Sequence, residues 1–369
     1  MLVKAAVCRA PHAPMAIEEL ELEDPRDDEL MVRITSCGIC HTDLAMRDQH
    51  FPIPLPVVLG HEGAGIITKV GKNVTDLTPG DPVVVSYSAC GRCPSCYAGE
   101  PGLCHAIYQY NFSCERPDGS TALKKGGEKI HSHFFGQSSF SSHIITRPGN
   151  VLKLDSTKDM DFFGPLGCGV QTGAGAVINV LRPRPGDSLA AFGIGTVALS
   201  AIMAARVCGL TTIVAVGRND KKLELAKEMG ATHTINSTKV DNVPHAIKAV
   251  TGGFGVNHSV ETSGVQELIT QSIESLSIRG KSVILGSSPK GTTIQTCATD
   301  FLNQGKTILG AVEGNCVPQE FLPRLIALYR QGRFPLEKMI TFYPFEKINE
   351  AMADSEKGIV IKAVLKMED

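Results

Sequence analysis

The sequence predicts an α/β protein made of an irregular β-rich domain and a doubly wound parallel sheet. The first part of the chain, to about residue 150, is rich in Gly, Pro, Cys and His around short β-type runs, whereas apolar runs alternate with helical stretches from about Gly173 onward. A chain of 369 residues also exceeds the roughly 250–300 residues at which a single core stops growing. We therefore expect two domains.

The first domain is predicted from the runs MVRITSCG, HEGAGIITKVG and DPVVVSYS, which look like strands separated by Pro/Gly turns. After about Ala311 the chain carries the helical segment PQEFLPRLIALYRQG and the β-type runs YPFEKI and IVIKAVLKM. These pieces do not extend the strand–helix alternation convincingly, so we expect them to return to the first domain. The predicted domains are 1–169 together with 311–369, and 170–310.

The second domain is predicted from strand–helix alternation. SLAAFG, TTIVAVG, THTIN, VNHSVETSG and KSVILGSS are strand-like, and helical stretches such as TVALSAIMAARVCG and DKKLELAKEMG lie between them. Alternation at this spacing is typical of βαβ units, which build a parallel, doubly wound sheet.

Composition excludes several classes of partner. The formal net charge is -2, so the chain has no excess of positive charge to attract nucleic acid or an anionic membrane. The run AFGIGTVALSAIMAARVCG is interrupted by glycines and Arg206, and the start of the chain, MLVKAAVCRAPHAPM, lacks the apolar region of a signal peptide. We expect a cytoplasmic protein whose partners are small molecules or copies of the same chain, with no nucleic acid and no membrane.

Four of the twelve cysteines form a compact cluster in CGRCPSCYAGEPGLC, namely Cys90, Cys93, Cys96 and Cys104. Two-residue gaps let thiolates converge on one ion, and four sulfurs complete a closed tetrahedral zinc shell. A pair of disulfides or an iron–sulfur cluster are the alternatives, and a reducing compartment disfavours the first. We predict a structural zinc here. Six further cysteines are interpreted as buried or partly buried small hydrophobes: Cys8, Cys37, Cys114, Cys208, Cys297 and Cys316.

A second set of metal-binding residue types is scattered along the chain. It comprises Cys40 in CGICHTDL, His61 and Glu62 in GHEGAG, and Cys168 in GCGVQTG. Two thiolates and one imidazole leave a fourth zinc position for water or an alcohol oxygen, as alcohol activation requires. Spacing alone does not separate this hypothesis from an ordinary structural role for each residue.

These motifs together resemble the zinc-containing medium-chain alcohol dehydrogenases over nearly the full length. The stretches NFSCERPDGSTAL, FFGQSS and EGNCVPQEFLPRLIALYRQGRFP are similar to the branch acting on benzyl, cinnamyl or geranyl-type alcohols. The resemblance implies a GroES-like catalytic domain, a Rossmann cofactor domain, and a homodimer or homotetramer joined at sheet edges, here around KSVILGSS to KTILGAV.

The resemblance also implies roles for the scattered set. Cys40, His61 and Cys168 would ligate a catalytic zinc, so that each chain holds two zinc ions. Glu62 matches an acidic neighbour that approaches the metal during ligand exchange. Asp43 matches the carboxylate that orients the ligand histidine.

Two further residues of the same loop match functional positions of the family. Thr42 matches the hydroxyl that takes the alcohol proton, and His41 matches a contact to the cofactor pyrophosphate. The loop departs from the family at Ala45, where well-studied relatives place the last histidine of the proton relay. Proton exit would then use water or a nearby group such as His50.

The segment GIGTVA is predicted to bind a dinucleotide. Gly193 allows the tight turn, Gly195 lets the backbone approach the pyrophosphate, and Ala198 takes the third glycine position, which needs only close packing. The match is specific because a predicted strand precedes it, a predicted helix follows it, and a second predicted strand comes next at the spacing of a βαβ unit. The pyrophosphate is expected at the helix N-terminus.

The end of that second strand distinguishes the two nicotinamide cofactors. NAD sites usually carry Asp or Glu there, whereas this chain reads IVAVGRNDKK, with Gly217 and Arg218 and no carboxylate. A small residue followed by arginine accommodates a 2′-phosphate, and Lys222 or its neighbour Lys221 adds charge. We predict NADP(H), with NAD(H) possible.

The alternative at this position is that Arg218 is a solvated loop residue while Asn219 or Asp220 holds NAD. The predicted function is zinc-dependent hydride transfer between NADP(H) and a primary alcohol/aldehyde pair, aromatic or allylic, running as aldehyde reduction. Competing functions are an NAD-dependent aryl-alcohol dehydrogenase, a zinc reductase acting on another carbonyl or polyol, and a non-enzymatic relative. Pocket walls are expected from Tyr87, the 108–112 stretch and the loop near Glu313.

Overall fold

The computed structural model describes residues 1–367, and these divide into two compact units. Unit 1 comprises Met1–Cys168, Val317–Ile326 and the described residues from Leu336 onward. Unit 2 comprises Gly169–Cys316 and Ala327–Pro335. The domain boundaries 169/170 and 310/311 stay a proposal, and the last two residues of the predicted first domain lie outside the described residues.

The strands, in chain order, are β1 (Leu2–Cys8), β2 (Ala16–Leu22), β3 (Leu30–Gly38), β4 (Val57–Val58), β5 (Glu62–Val70), β6 (Pro82–Val85), β7 (Leu123–Lys125), β8 (Glu128–Ile130), β9 (His143–Thr146), β10 (Val151–Lys153), β11 (Ser188–Phe192), β12 (Thr212–Gly217), β13 (His233–Asn236), β14 (Val256–Glu261), β15 (Leu276–Ile284), β16 (Thr307–Gly310), β17 (Ile340–Pro344) and β18 (Lys362–Lys366).

The α-helices are α1 (His41–Arg47), α2 (Pro94–Tyr97), α3 (Ile107–Asn111), α4 (Gly169–Gly175), α5 (Thr196–Val207), α6 (Asp220–Met229), α7 (Val243–Val250), α8 (Gln266–Glu274), α9 (Ala298–Gln304), α10 (Pro318–Arg330) and α11 (Ile348–Glu356). A π-helix follows α4 directly, at Ala176–Leu181. Short 3-10 turns lie at Pro101–Leu103, Phe134–Gly136, Pro148–Asn150, Met160–Phe162, Gly164–Gly167, Glu313–Asn315, Leu336–Lys338 and Phe345–Lys347.

Unit 1 is built on two sheets. One has the strand order β4-β1-β2-β7-β8, and the other runs β10-β6-β5-β3-β18-β17 with β9 also paired to β3. Strand β18 lies antiparallel to β3, so the end of the described chain completes the sheet that carries the early motifs. The core between these elements is aliphatic and aromatic, with Phe134 and Phe140 fully buried.

Unit 2 is built on a six-stranded sheet with the order β13-β12-β11-β14-β15-β16, and every pair in it is parallel. The predicted parallel sheet is thus confirmed. Strand β11 has four consecutive buried residues, 189–192, as expected for a strand covered on both faces. Helix α6 is capped before its first residue by Asn219, whose side chain accepts from the Lys222 backbone N–H, and after its last residue by Gly230, which has φ of 127°.

One predicted strand is shorter than expected. YPFEKI was interpreted as β-type throughout, but β17 ends at Pro344 and Phe345–Lys347 form a 3-10 turn. Proline lacks the N–H that would continue the ladder, and this explains the stop. None of the helices within residues 1–367 combines the length and apolar character that a bilayer crossing requires.

Candidate metal centres and dinucleotide site

The four cysteines of the CGRCPSCYAGEPGLC lobe converge in unit 1. Cys93 precedes α2 and Cys96 lies on it, and their sulfurs are 3.5 Å apart. The Cys90 sulfur is 3.9 Å from that of Cys96, and the Cys93 sulfur is 3.9 Å from that of Cys104. All four ligand atoms lie within 4.8 Å of one another, which is the arrangement a tetrahedral ion requires.

Backbone N–H groups prepare this lobe for thiolates. The His105 N–H donates to the Cys93 sulfur at 3.5 Å, and this bond is the main reason why the pKa of Cys93 falls to about 6. The Cys104 sulfur accepts two more N–H groups, from Cys90 and Ala106, both at 3.4 Å, and these oppose the burial that raises the pKa of Cys104. Donors aimed at sulfur stabilise the charged form that binds metal. The residues fit a structural zinc.

The scattered set also converges in unit 1. Cys40 lies just before α1, His61 lies just before β5 and Glu62 begins it, and Cys168 immediately precedes α4 in the chain. Each offers one ligand atom, and the four atoms lie within 4.8 Å of one another. Hydrogen bonding with Cys168 and the neighbouring His61 ring lower the pKa of Cys40 well below its usual value.

Asp43 organises this cluster from the first turn of α1. One carboxylate oxygen accepts from His61 Nδ1 at 2.9 Å and from the Gly60 N–H at 3.0 Å, and the other accepts from the Cys40 N–H at 2.9 Å. His61 is fully buried, and its Nε2 has no hydrogen-bond partner. A buried imidazole nitrogen held toward two thiols fits a ligand of a bound cation.

Glu62 has a partner that is absent from the predicted site residues. Lys362 on β18 donates to both carboxylate oxygens of Glu62, at 2.9 and 2.8 Å, and to the Ile39 carbonyl at 3.0 Å. Gly38 leaves room for this pair, because a Cβ there would lie 2.0 Å from a Glu62 oxygen. The available signal was the lysine at the centre of the apolar stretch IVIKAVL.

The proton-transfer candidates lie on or beside α1. The Thr42 hydroxyl is half-buried and 3.7 Å from the Cys40 sulfur, whereas His41 is exposed. Ala45 is buried on the same helix. His50 is exposed, and among the described residues no contact joins its ring to Thr42. The structure therefore brings the Thr42 hydroxyl to the metal cluster, and a role of His50 in proton exit stays a prediction.

An aromatic wall, defined here as Tyr108, Phe112, Phe134 and Phe135, lies against the His61 ring. The Phe135 ring stacks on it at a centroid distance of 4.4 Å, and Phe134 meets it edge-on at 5.4 Å. Phe112 contacts Phe135 at 5.2 Å, and Tyr108 contacts Phe112 at 5.5 Å. Tyr108 and Phe112 lie in the predicted wall stretch; Phe134 and Phe135 were missed, although FFGQSS is an aromatic pair next to a glycine.

The dinucleotide turn joins β11 to α5 in unit 2. Gly193 has φ of 93°, which favours glycine, and a Cβ there would lie 2.5 Å from the Thr262 hydroxyl oxygen. Gly195 is exposed, precedes α5, and would direct a Cβ into open space. Ala198 is fully buried. The free N–H groups of α5 thus face a cradle that fits a pyrophosphate.

The cofactor-discriminating segment follows β12. Gly217 ends that strand and Arg218 is exposed, and within residues 1–367 no carboxylate pairs with its guanidinium. The two alternative NAD ligands are engaged elsewhere: Asn219 caps α6 by accepting from the Lys222 N–H, and Asp220 pairs with Lys239 at 2.8 Å.

The remaining cysteines depart from the sequence interpretation at one position. Cys8, Cys37, Cys114 and Cys316 are buried and Cys208 is partly buried, but Cys297 is exposed. It caps α9, a helix without a buried residue, so no core is available to cover it.

The alcohol dehydrogenase GroES-like domain family matches residues 26–156, and the zinc-binding dehydrogenase family matches residues 195–331. Geraniol dehydrogenase of Castellaniella defragrans is 42% identical over 98% of this chain and 97% of its own length.

Two solved structures share the whole fold. Benzyl alcohol dehydrogenase from Acinetobacter calcoaceticus is 44% identical with a TM-score of 0.96, and an alcohol dehydrogenase zinc-binding domain protein from Burkholderia ambifaria is 48% identical with a TM-score of 0.98. Both comparisons cover 100% of each chain. The predicted GroES-like and Rossmann fold class is confirmed.

Proposed function

The chain belongs to the zinc-containing medium-chain alcohol dehydrogenases, a family of oxidoreductases, and on that premise we propose that it transfers hydride between NADP(H) and an aromatic or allylic primary alcohol/aldehyde pair. We further propose that aldehyde reduction is the working direction. The observation that carries the proposal is the cluster of Cys40 with the buried His61 and Cys168, in which His61 Nε2 has no hydrogen-bond partner, beside an aromatic wall.

Each candidate site residue of unit 1 has a specific role in the proposed reaction. Cys40, His61 and Cys168 would hold the catalytic zinc, which when bound polarises a carbonyl oxygen and stabilises the alkoxide charge. Asp43 keeps the His61 ring in the tautomer with Nδ1 protonated and Nε2 free. The Thr42 hydroxyl gives a proton to the substrate oxygen during reduction and takes it back during oxidation.

Glu62 and Lys362 complete this proposal. The Lys362 ammonium holds the Glu62 carboxylate at the edge of the cluster, as part of the same set of four ligand atoms. We propose that Glu62 becomes a transient ligand when substrate and product exchange. Gln137 and other polar groups form hydrogen bonds with the backbone around His61, and Gln137 Nε2 donates to the His61 carbonyl at 2.9 Å. The backbone at His61 therefore stays rigid while the Glu62 side chain moves.

The substrate class rests on the aromatic wall. Flat or unsaturated substrates gain from stacking and edge contacts with Phe112 and Phe135, and these rings also exclude water near the cluster. The geraniol and benzyl alcohol dehydrogenases support the same class by their identities with this chain. Sugar, polyol or glutathione-adduct substrates would need polar walls instead.

The choice of NADP(H) rests on the end of β12. Gly217 carries no acid that would repel a 2′-phosphate, and the exposed Arg218 guanidinium is available to bind one. Half-buried Lys222 on α6 adds charge, and the pyrophosphate role of the exposed His41 stays a prediction from the family resemblance. The NAD alternative would require Asn219 or Asp220 to leave its present partner.

Oxidation of NADPH against aromatic, allylic, aliphatic and polyol-derived carbonyl compounds tests the function directly. We expect the highest kcat/KM for aromatic or allylic aldehydes with NADPH. A preference for sugar-type carbonyls, or for NADH, would contradict the corresponding part of the proposal. Absence of turnover with every class in zinc-loaded protein would contradict enzymatic function itself.

We also propose a homodimer or homotetramer in the cytoplasm. Strand β16 is an edge of the unit 2 sheet, and large apolar side chains nearby are exposed, with Leu302 79% and Ile278 70% accessible. An edge strand flanked by apolar residues favours pairing with a second copy. Thiol ligands such as those of the cysteine lobe favour a reducing compartment. The mass in solution, measured by light scattering, tests the assembly.

A further inference from the structure

The turn after β16 has an unusual backbone. Glu313, Gly314 and Asn315 have φ values of 51°, 66° and 45°, so three consecutive residues are left-handed. Two of them carry a Cβ, which makes this conformation costly. We call residues 312–316 the Glu313 turn. Such an outlier persists only where its surroundings determine it, and it points to a functional constraint.

The Glu313 turn is held against the helix that starts unit 2. Gly314 packs on Gly175 at the end of α4, and a Cβ on Gly314 would lie 2.4 Å from the Gln171 carbonyl oxygen. Asn179, on the π-helix that follows α4, donates to the Gly314 carbonyl at 3.2 Å. Two irregular backbone segments thus meet at one place, and π-helical turns are frequent at functional sites.

The Glu313 side chain connects these segments. It is 8% exposed, and one carboxylate oxygen accepts from Gln171 Nε2 at 2.9 Å and from the Thr172 hydroxyl at 3.4 Å. The Cys316 thiol donates to Gln171 Oε1 at 3.3 Å. A carboxylate accepts only, so Thr172 must direct its hydroxyl hydrogen toward Glu313. The lone pairs of the half-buried Thr172 hydroxyl are then left to accept from another group.

The sheet order places this turn at the nicotinamide half of the proposed cofactor. Dinucleotides bind at the carboxyl ends of the strands, across the point where the strand order reverses, here between β11 and β14. Arg218 follows β12 on one side of that point. The Glu313 turn follows β16 on the other side, where the second mononucleotide half belongs.

We infer that Glu313 is a positioning residue for the nicotinamide half of the dinucleotide: its carboxylate orients the Thr172 hydroxyl as an acceptor for a primary carboxamide N–H. The inference rests on the proposed dinucleotide-dependent function and deepens it. A nicotinamide ring carries a carboxamide, whose NH₂ group needs an acceptor at a fixed position. Glu313 supplies that acceptor through Thr172, and Gln171 is held by the same carboxylate.

Binding of the two cofactor halves to the full-length zinc protein tests this inference. Reduced nicotinamide mononucleotide and NADPH are titrated by fluorescence, and adenosine 2′,5′-bisphosphate is measured by competition. For Glu313→Gln we expect Kd to rise about tenfold for the first two ligands and to stay within about twofold for the third. Glu274→Gln, an exposed carboxylate at the end of α8, is the matched control and should change none of them.

Thr172→Val provides a second variant that keeps the carboxylate, and it should weaken the mononucleotide in the same way. Unchanged mononucleotide binding in both variants overturns the inference. Equal weakening of both cofactor halves also overturns it, because that pattern indicates general damage to unit 2. Arg218→Ala separates the proposed NADP(H) preference from the inference about Glu313. If Arg218→Ala leaves the binding of adenosine 2′,5′-bisphosphate unchanged, the NADP(H) preference is contradicted. The mononucleotide measurement then still tests Glu313.

Discussion

Lys362 and Glu62 form a buried ion pair across 300 positions of sequence, with side-chain exposures of 4% and 0%. Burial raises the pKa of Glu62, and the Lys362 charge opposes that shift. The lysine also donates to the Ile39 carbonyl, so its ammonium is satisfied by backbone and carboxylate together. This pair connects β18 to the start of β5, beside the metal cluster.

Removing one partner of this pair should destabilise unit 1. Lys362→Met removes the ammonium that pairs with the buried Glu62 carboxylate, which costs roughly 3–5 kcal/mol in the free energy of unfolding. Urea unfolding and zinc content measure the effect. The double variant Glu62→Gln with Lys362→Met should recover much of the loss, because no lone charge remains. Equal stability of the Lys362→Met and double variants would contradict the proposed coupling. Lys366→Met, at a partly exposed lysine on the same strand, is the control.

The cysteine lobe should hold one zinc ion independently of the catalytic cluster. Cys93→Ala removes one of four ligands, so we expect zinc content to fall from about two ions per chain to about one, with a lower Tm. Elemental analysis of the purified variant measures this change. Cys297→Ser replaces an exposed cysteine and should retain both ions. A Cys93→Ala protein that keeps two ions would show that the lobe binds no metal.

Arg218 should determine the cofactor. Arg218→Ala removes the guanidinium proposed to bind the 2′-phosphate, and we expect kcat/KM with NADPH to fall at least about tenfold while the value with NADH changes little. Steady-state kinetics with both cofactors provide the measurement. Lys227→Ala, at the far end of α6, is the control because its side chain pairs with Glu224 at 2.8 Å. An equal loss with both cofactors would argue against recognition of the 2′-phosphate.

Phe135 should favour aromatic substrates. Phe135→Leu keeps an apolar side chain but removes the ring that stacks on His61, and loss of an aromatic contact corresponds to about 0.5–1.5 kcal/mol. We therefore expect kcat/KM for benzaldehyde to fall roughly two- to twelvefold relative to that for butanal. Phe254→Leu, at a ring that is 80% exposed, should leave the ratio unchanged. A parallel loss for both aldehydes would assign Phe135 to metal geometry instead of specificity.

His133 should make unit 1 sensitive to acid. Burial, reinforced by the charge of Arg116, lowers the pKa of His133 from 6.5 to about 3. Below pH 6.5 the His133 imidazole is protonated in the unfolded chain but stays neutral in the folded chain. The free energy of unfolding therefore falls as the pH drops from about 6.5 toward 3. The slope reaches at most about 1.4 kcal/mol per pH unit.

Urea unfolding at several pH values between 7 and 4 measures this slope. His133→Asn suits the left-handed backbone at φ of 64° and removes the titrating group, so its stability should depend less on pH than that of the unchanged protein. His50→Asn, at an exposed histidine, serves for comparison. Identical slopes for the His133→Asn and unchanged proteins would rule out this contribution.

Local sequence was sufficient to predict the parallel sheet, the glycine turn and the four-cysteine cluster. Strand–helix alternation, a Gly193–Gly195 turn and two-residue cysteine gaps each express a constraint within a short stretch of chain. For the scattered set, residue types alone left two interpretations open. Resemblance to the family identified Cys40, His61 and Cys168 as a set, and the structure places their ligand atoms together.

Only the tertiary structure decided which distant side chains serve those motifs. The pairing of Lys362 with Glu62, the stacking of Phe135 on His61 and the contacts of Glu313 with α4 depend on strand register and on left-handed turns. None of these relationships has a fixed spacing in sequence. Each follows from which strands become neighbours, because a side chain's partners across a sheet or turn are set by topology, whereas its chemistry is set by its own residue type.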